Sequence, residues 1–329
     1  MGISRRNFLK GTAVAAGSLA ALPLVEAEGE ALGKGTLPTR VLGRTKQRVS
    51  LVGFGMAPLG SDTTTPEEAE RVVRYAIEQG VNYIDVAPVY GDPKSKYGNA
   101  EDKLKSVLKT HRKDVFLVTK VNAARQDKAG VLQQLEESLK RMGVDSVDAV
   151  HIHNLGDFDM DKVFGPDGAL AGLKEARSQG LLRFIGTSGH MRPARFVKAI
   201  ETGDIDLTMN ALNFADCHNY DFEGLVLPIA KKHKTAVVAM KVLGGAIKWQ
   251  YDAKTSGVFA EHHEQAIRYA LGLPVSCAVI GFANEEEVRK ALEVARNYTP
   301  LTAVERKELL KVGKEIASTR ELYYGPVEG

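Results

Sequence analysis

Cysteine is scarce. Cys217 and Cys277 are the only two in 329 residues, too few for a disulfide framework, and both fall in segments expected on different strands. An oxidising destination would permit a bridge, but nothing in their spacing demands one, and two buried thiols are expected. Long basic runs are missing too, as are aromatics interleaved with basic residues. The net charge of +3 is spread along the chain, so no nucleic-acid partner is expected. No uninterrupted apolar stretch reaches the about 20 residues of a spanning helix. A Gly-x-Gly-x-x-Gly fingerprint is absent as well, since GFGMAPLG at 53–60 breaks that spacing. An open doubly wound sheet, the alternative fold, would be expected to carry one after its first strand. What remains is 44% hydrophobic and 26% charged, the balance of a globular chain that buries a core without staples. The length suits a single barrel of roughly 250 residues with extensions.

The first residues carry an address. SRRNFLK at 4–10 pairs Arg5 with Arg6, then places Phe8 and Leu9 ahead of an uncharged run from Gly11 to Val25. This is the twin-arginine export pattern, whose machinery is the implied partner. Val25 and Ala27 supply small residues for cleavage after Ala27. Retention as a membrane anchor is the alternative, opposed by Pro23 and by the shortness of the run. The expected organisation is a signal peptide over 1–27, a linker over 28–38, a barrel over 39–319 and a tail over 320–329. Such export implies folding before crossing and delivery to the periplasm.

Beyond Arg40 short apolar runs rich in β-branched residues alternate with amphipathic stretches. Strands are predicted at 51–54, 83–85, 115–119, 149–152, 184–187, 207–209, 236–240 and 277–280. Helices are predicted at 66–79, 100–108, 130–142, 170–179, 193–202, 225–232, 263–271 and 286–297, with a last one at 303–318 outside the repeat. Thr65 should cap the first helix, with Glu67 and Glu68 in its first turn. Gly80, Gly143 and Gly180 stand where helices should stop. Eight strand–helix units without a second cluster predict an α/β fold, a (β/α)8 TIM barrel with an N-terminal β-hairpin cap and an extra C-terminal helix.

In such a barrel the chemistry lies where the strands end. Asp85 and Tyr90 follow the second predicted strand, Lys120 the third, and His153 the fourth. Singly each has a plain structural explanation; an acid, a phenol, an amine and an imidazole leaving successive strands into one mouth do not. Carbonyl reduction needs a hydride donor and a proton donor to the oxygen that becomes an alkoxide. A phenol with a pKa normally about 10 serves if an ammonium beside it favours the phenolate. Asp85 would hold Lys120 charged and oriented, and His153 would donate a hydrogen bond to the same oxygen.

These motifs resemble the aldo-keto reductase superfamily from about Thr39 to Thr319. TRVLGRTKQRVSLVGFG at 39–55 looks like its hairpin and first strand. NYIDVAPVYG at 82–91 with GNAE at 98–101 is similar to its aspartate–tyrosine signature, and GLLRFIGTSGH and SCAVIGFANEEEV to its fifth- and eighth-strand motifs. The resemblance implies NAD(P)H-dependent transfer of hydride to or from a carbonyl or alcohol substrate (aldehyde, ketone or sugar), with Asp85, Tyr90, Lys120 and His153 as catalytic tetrad. It implies a cofactor wall of Gly55, Met56, Ser188, Met209, Asn210, Met240, Lys241, Leu243, Gly244, Ile280, Gly281, Phe282, Asn284 and Glu287. The chain departs from the family at several of these. Ser188 precedes Gly189 and His190 where the family has Ser-Asn to hold the carboxamide, Met209 stands in place of a glutamine, and Met240 in place of a stacking aromatic. Glu287 stands where a basic residue grips the 2′-phosphate, which weakens the usual NADPH preference and leaves NADP or NAD as cofactor. The tail lacks the cysteine cluster of iron–sulfur relatives.

Two rival functions use the same residues. His151 and His153 form an H-x-H pair that, with His190 and Asp85, could ligate a metal in a barrel hydrolase. Such enzymes carry the pair on the first strand, however, and Lys120 and Tyr90 would then have no role, so no metal is expected. A relative that retains cofactor without turnover is the other. Loops at 154–168 and 214–224 and the tail would shape the substrate pocket, with Phe158, Phe164, Phe214, Tyr220, Tyr323 and Tyr324 as a partly aromatic lining.

Overall fold

The computed structural model describes residues 36–122, 127–245 and 259–328; the leader, the linker up to residue 35 and the final residue of the tail lie outside them. Strands β1 (Thr39–Val41) and β2 (Arg48–Ser50) form an antiparallel hairpin. Eight parallel strands follow: β3 (Val52–Gly55), β4 (Tyr83–Asp85), β5 (Phe116–Val121), β6 (Val147–His153), β7 (Leu182–Gly189), β8 (Leu207–Ala211), β9 (Ala236–Met240) and β10 (Cys277–Gly281). They neighbour one another in chain order, and β10 closes the barrel on β3. The expected (β/α)8 barrel with its hairpin cap is the fold.

The helices between them are α1 (Pro66–Glu78), α2 (Ala100–His111), α3 (Lys128–Met142), α4 (Met160–Phe164), α5 (Ala169–Ser178), α6 (Pro193–Glu201), α7 (Phe222–His233), α8 (His263–Leu271) and α9 (Glu285–Arg296); α10 (Ala303–Arg320) lies outside the repeat. Their ends are written in local chemistry. Thr65 Oγ1 accepts from Glu68 N at 3.2 Å while the Glu68 carboxylate accepts from Thr65 N at 2.8 Å, a reciprocal cap that satisfies two donors no helix turn can reach. Thr302 and Glu305 repeat it on α10. Gly143 stops α3 at a φ of +66°, a left-handed conformation that glycine adopts without strain.

Side chains alternate between two apolar layers. Leu117, Val150 and Ile152 face the surrounding helices, whereas Phe116, Val118, Ala149 and Leu207 fill the barrel interior. Leu42 and Val49 of the hairpin pack onto that inner cluster, and Arg44 ties the hairpin to Asp206 at 2.9 Å. The hairpin thus plugs the end where strands begin, leaving the end where they finish open.

Three expectations need correction. Cys217 lies in a 3-10 turn (Asp216–His218) after β8 rather than on a strand, while Cys277 is on β10, and both thiols are free. Helix α7 begins three residues before the predicted start, because the Asp221 carboxylate accepts from Gly224 N at 2.8 Å, and it runs through Pro228. The short helix α4, capped by Asp159, interrupts what read as a loop over 154–168.

Candidate functional site

The ends of β4, β5 and β6 bring the expected side chains together. Asp85 and Lys120 are fully buried, and Lys120 Nζ donates to Asp85 Oδ1 at 2.5 Å and to Val86 O at 3.0 Å. The Tyr90 hydroxyl donates to the other oxygen, Asp85 Oδ2, at 3.4 Å, and Lys120 Nζ stands 4.8 Å from the centre of the Tyr90 ring. Burial pushes the Asp85 carboxyl up and the Lys120 amine down, and their contact opposes both. A further anion sits nearby: buried Glu101 accepts from Thr119 Oγ1 and Arg141 Nε, each at 2.7 Å, and its charge supports that of Lys120. In the sequence Glu101 stands out only as the last residue of GNAE; the pairing of adjacent strands and helices that buries it is not visible locally.

His151 and His153 project to one side of β6, as the H-x-H spacing requires. Burial, reinforced by the charges of Lys120 and Lys241, pushes His153 down to about 3, and His151 and His190 are held well below the ordinary histidine value mainly by burial. All three imidazoles are therefore neutral near pH 7. His190 stacks on Tyr324 and meets His153 edge to face at 6.5 Å. Among the described residues no cluster of three or more His, Cys, Asp or Glu side chains is placed to hold a metal ion, and Asp85 is committed to Lys120.

A cleft of about 140 Å³ opens at this end. Asp85 and Tyr90 lie on its wall with Gly55, Met209, Met240, Lys241, Leu243, Ile280, Gly281, Phe282 and Glu287. Gly245 rather than Gly244 lines it, together with Ala57, Pro58, His263 and Lys290, which the sequence did not single out as cleft residues. Met56 is buried with its N–H on Asp85 O at 2.9 Å. Asn284 caps α9 by accepting from Glu287 N at 3.0 Å. The Glu287 carboxylate turns back to accept from Ala283 N at 2.8 Å, and burial raises it above the usual carboxylate range. Ser188 and Asn210 are buried at the ends of β7 and β8, and Ser188 Oγ and Asn210 Nδ2 have no hydrogen-bond partner among the described residues. Ser188 pairs in register with Met209 of the cleft wall, and an orphaned polar atom beside that wall fits a bound group that supplies the missing bond.

The predicted aromatic lining is mostly core. Phe158, Phe214 and Tyr220 are buried, Phe214 against Phe259 at 4.6 Å. The Tyr220 hydroxyl instead secures the tail, donating to Gly325 O and accepting from Tyr324 N, both at 2.9 Å. Arg320 adds a bond to Gly244 O at 3.1 Å and lies over the Tyr323 ring at 4.7 Å. A larger hollow, about 670 Å³, lies at the plugged end; its Arg112 and Arg183 are spent on Asp148 at 2.9 and 2.8 Å.

The chain is 31% identical over 156 residues to L-galactose dehydrogenase of Arabidopsis thaliana, a match covering 46% of this chain and about half of that protein, 48%. It is 25% identical over 240 residues to D-threo-aldose 1-dehydrogenase of Pseudomonas sp, covering 64% of this chain and 70% of that one. An aldo-keto reductase from Bacillus halodurans, solved in its holo form, superposes with a TM-score of 0.67 at 23% identity over 88% of this chain and 100% of that one. One from Klebsiella pneumoniae, solved with NADP and acetate, gives 0.66 at 18% identity over 84% and 95%. Likeness at such identities carries the fold. Residues 2–21 match the twin-arginine translocation signal sequence. Residues 51–299 match the Aldo/keto reductase family, and with eight strands closed in family order the chain belongs to that family and is an oxidoreductase.

Proposed function

We propose that Asp85, Tyr90, Lys120 and His153 form one proton-handling unit, with Tyr90 giving its proton to the substrate oxygen in the reducing direction. The observation that carries this is the meeting of Asp85 and Tyr90 on the cleft wall with the buried Lys120, its Nζ at 2.5 Å from the carboxylate and 4.8 Å from the phenol ring. A nicotinamide dinucleotide in the cleft supplies or accepts the hydride. Lys120 offsets the negative charge left on the Tyr90 oxygen, and Asp85 keeps the ammonium aimed and charged inside the barrel. His153, neutral at working pH, donates a hydrogen bond to the same substrate oxygen without adding a charge that would compete with Lys120. Ser188, Asn210, Met209, Met240, Lys241 and residues 280–282 at the end of β10 would hold the dinucleotide, and the opposed charges of Glu287 and Lys290 leave NAD and NADP both admissible. The names of the two curated relatives point towards aldoses within the carbonyl and alcohol class. Replacing Tyr90 by Phe tests the assignment: turnover should fall about 10²–10⁴-fold while dinucleotide affinity holds. Turnover within a few-fold of the parent would remove Tyr90 from the chemistry.

We further propose that the leader is cleaved after Ala27 and that the enzyme works in the periplasm carrying a dinucleotide loaded before export. Twin-arginine export of a folded chain supports this order of events, as does the scarcity of free NAD(P)H outside the cytoplasm.

A further inference from the structure

Tyr90 stands five residues beyond the end of β4, in the loop that leads to α2, so the strand alone does not fix where its phenol points. A second loop runs beside it. The 3-10 turn after β3 (Pro58–Gly60) follows Ala57, and Ala57 and Pro58 line the cleft. The two loops touch backbone to backbone. A Cβ on Gly60 would collide with Tyr90 O and stand 2.6 Å from Tyr90 C, and one on Gly91, whose φ is +88°, would collide with Gly60 O. A side chain at either position would part the loops.

Both loops hang from one turn of α2. The first N–H groups of a helix have no partner within it, and that of Ala100 donates to Tyr90 O at 2.9 Å. Asn99 is buried and caps the helix, its Oδ1 accepting from Glu101 N at 2.9 Å and Asp102 N at 3.1 Å. Its Nδ2 reaches back to donate to Pro88 O at 3.0 Å. Four residues on, Lys103 is only 2% exposed, and its Nζ donates to Leu59 O at 2.9 Å and Ser61 O at 2.7 Å. Capping needs only the Asn99 oxygen, and the helix needs no ammonium at 103, where burying one is unfavourable. The bonds that neither capping nor packing calls for all go to the two loops at the cleft.

We propose that Asn99 and Lys103 are positioning residues for Tyr90: Asn99 holds the loop ahead of the phenol, and Lys103 holds the 58–61 turn against the loop behind it, so that the hydroxyl stays beside Asp85 and Lys120. This deepens the reading of Tyr90 as proton donor and rests on it. Neither side chain lines the cleft; both act through the backbone of residues 88–91.

Asn99→Asp isolates the loop bond, because a carboxylate caps a helix as well as an amide does but has no donor for Pro88 O. Lys103→Met keeps an unbranched side chain and releases the turn; each variant carries the test if the other does not fold. A reacting group misplaced by about 1 Å can cost about a hundredfold, so either variant should lower kcat about tenfold or more. Dinucleotide affinity, read by equilibrium binding, should stay within about threefold of the parent, since the loss lies in the reacting step. A phenol drawn away from Lys120 is a weaker acid, so the alkaline limb of the pH profile for reduction should move upwards. The decisive arm is the double variant. In a Tyr90→Phe background either change should lower turnover by less than about threefold more, because a path through the phenol has nothing left to act on. Turnover close to the parent's, an unmoved alkaline limb, an equal loss of dinucleotide affinity, or a loss undiminished in the Tyr90→Phe background overturns the proposal and leaves the proton-donor reading intact. A Tyr90→Phe protein as active as the parent overturns that reading, and the proposal with it.

Discussion

The imidazole of His190 lies nearly flat against the ring of Tyr324, centroids 5.0 Å apart and planes 25° from parallel. That contact fastens the C-terminal tail at the mouth of the barrel and helps bury His190, which folds neutral beside His151 and His153.

An acid sensitivity follows. The folded values of these imidazoles are depressed, so unfolded chain binds protons that folded chain refuses once the pH drops below about 6.5. Their contribution is complete above that value and is lost as the pH falls towards about 3, the level to which His153 is pushed. Each adds up to about 1.4 kcal/mol per pH unit in that window. The raised carboxyls of Asp85, Glu223 and Glu287 act in the opposite direction, so the parent is compared with His190→Phe. In urea titrations from about pH 7 to about pH 5 the variant should lose stability less steeply, by about one proton. Parallel curves would show that His190 protonates in the folded protein.

Lys120 and Asp85 can be separated from each other by the same logic. Lys120→Met leaves a buried, unpaired carboxylate and should cost about 3–5 kcal/mol of stability, besides lowering turnover at least about a hundredfold and moving its pH optimum upwards. Adding Asp85→Asn should recover most of the stability and none of the turnover. Recovery of both would mean that the pair is structural only.

Cofactor preference should answer to charge at the start of α9. Glu287→Gln removes a negative charge while keeping an oxygen that can accept from Ala283 N; it should raise the NADPH to NADH ratio of kcat/KM several-fold. Lys290→Ala, on the same cleft wall, should lower it. Two unchanged ratios would place the 2′-phosphate elsewhere.

Loading before export predicts that protein recovered from the exported fraction carries close to one nicotinamide nucleotide per chain after gel filtration. Changing Arg5 and Arg6 to Lys should keep the protein in the cytoplasm, still loaded. A dinucleotide held at a thousand times its dissociation constant adds about 4 kcal/mol to stability, so the loaded form should also melt later. An exported protein with an empty site and only micromolar affinity would contradict retention.

Much of this molecule is legible in its sequence because it is local. Thr65 with Glu68, and the glycines at 80, 143 and 180, mark helix ends through bonds and dihedrals a few residues apart. Asp85, Tyr90, Lys120 and His153 could be read together because the repeat puts successive strand ends on one face. What escaped depends on register or on packing across the barrel. Lys290 and His263 gained meaning only from where α9 and α8 meet the cleft. Phe158, Phe214 and Tyr220 could not be sorted into lining and core by residue type, since an aromatic serves either. Cys217 was misplaced because β8 ends at Ala211 and the chain turns before reaching it.

The hairpin that plugs the barrel also sets the side on which the preceding chain joins it. Thr39 enters the fold at the sealed floor, where Leu42 and Val49 pack among the first residues of the strands, on the side opposite the cleft. The chain before Thr39 therefore joins the barrel on the floor side, so the point of attachment and the catalytic mouth do not share a surface.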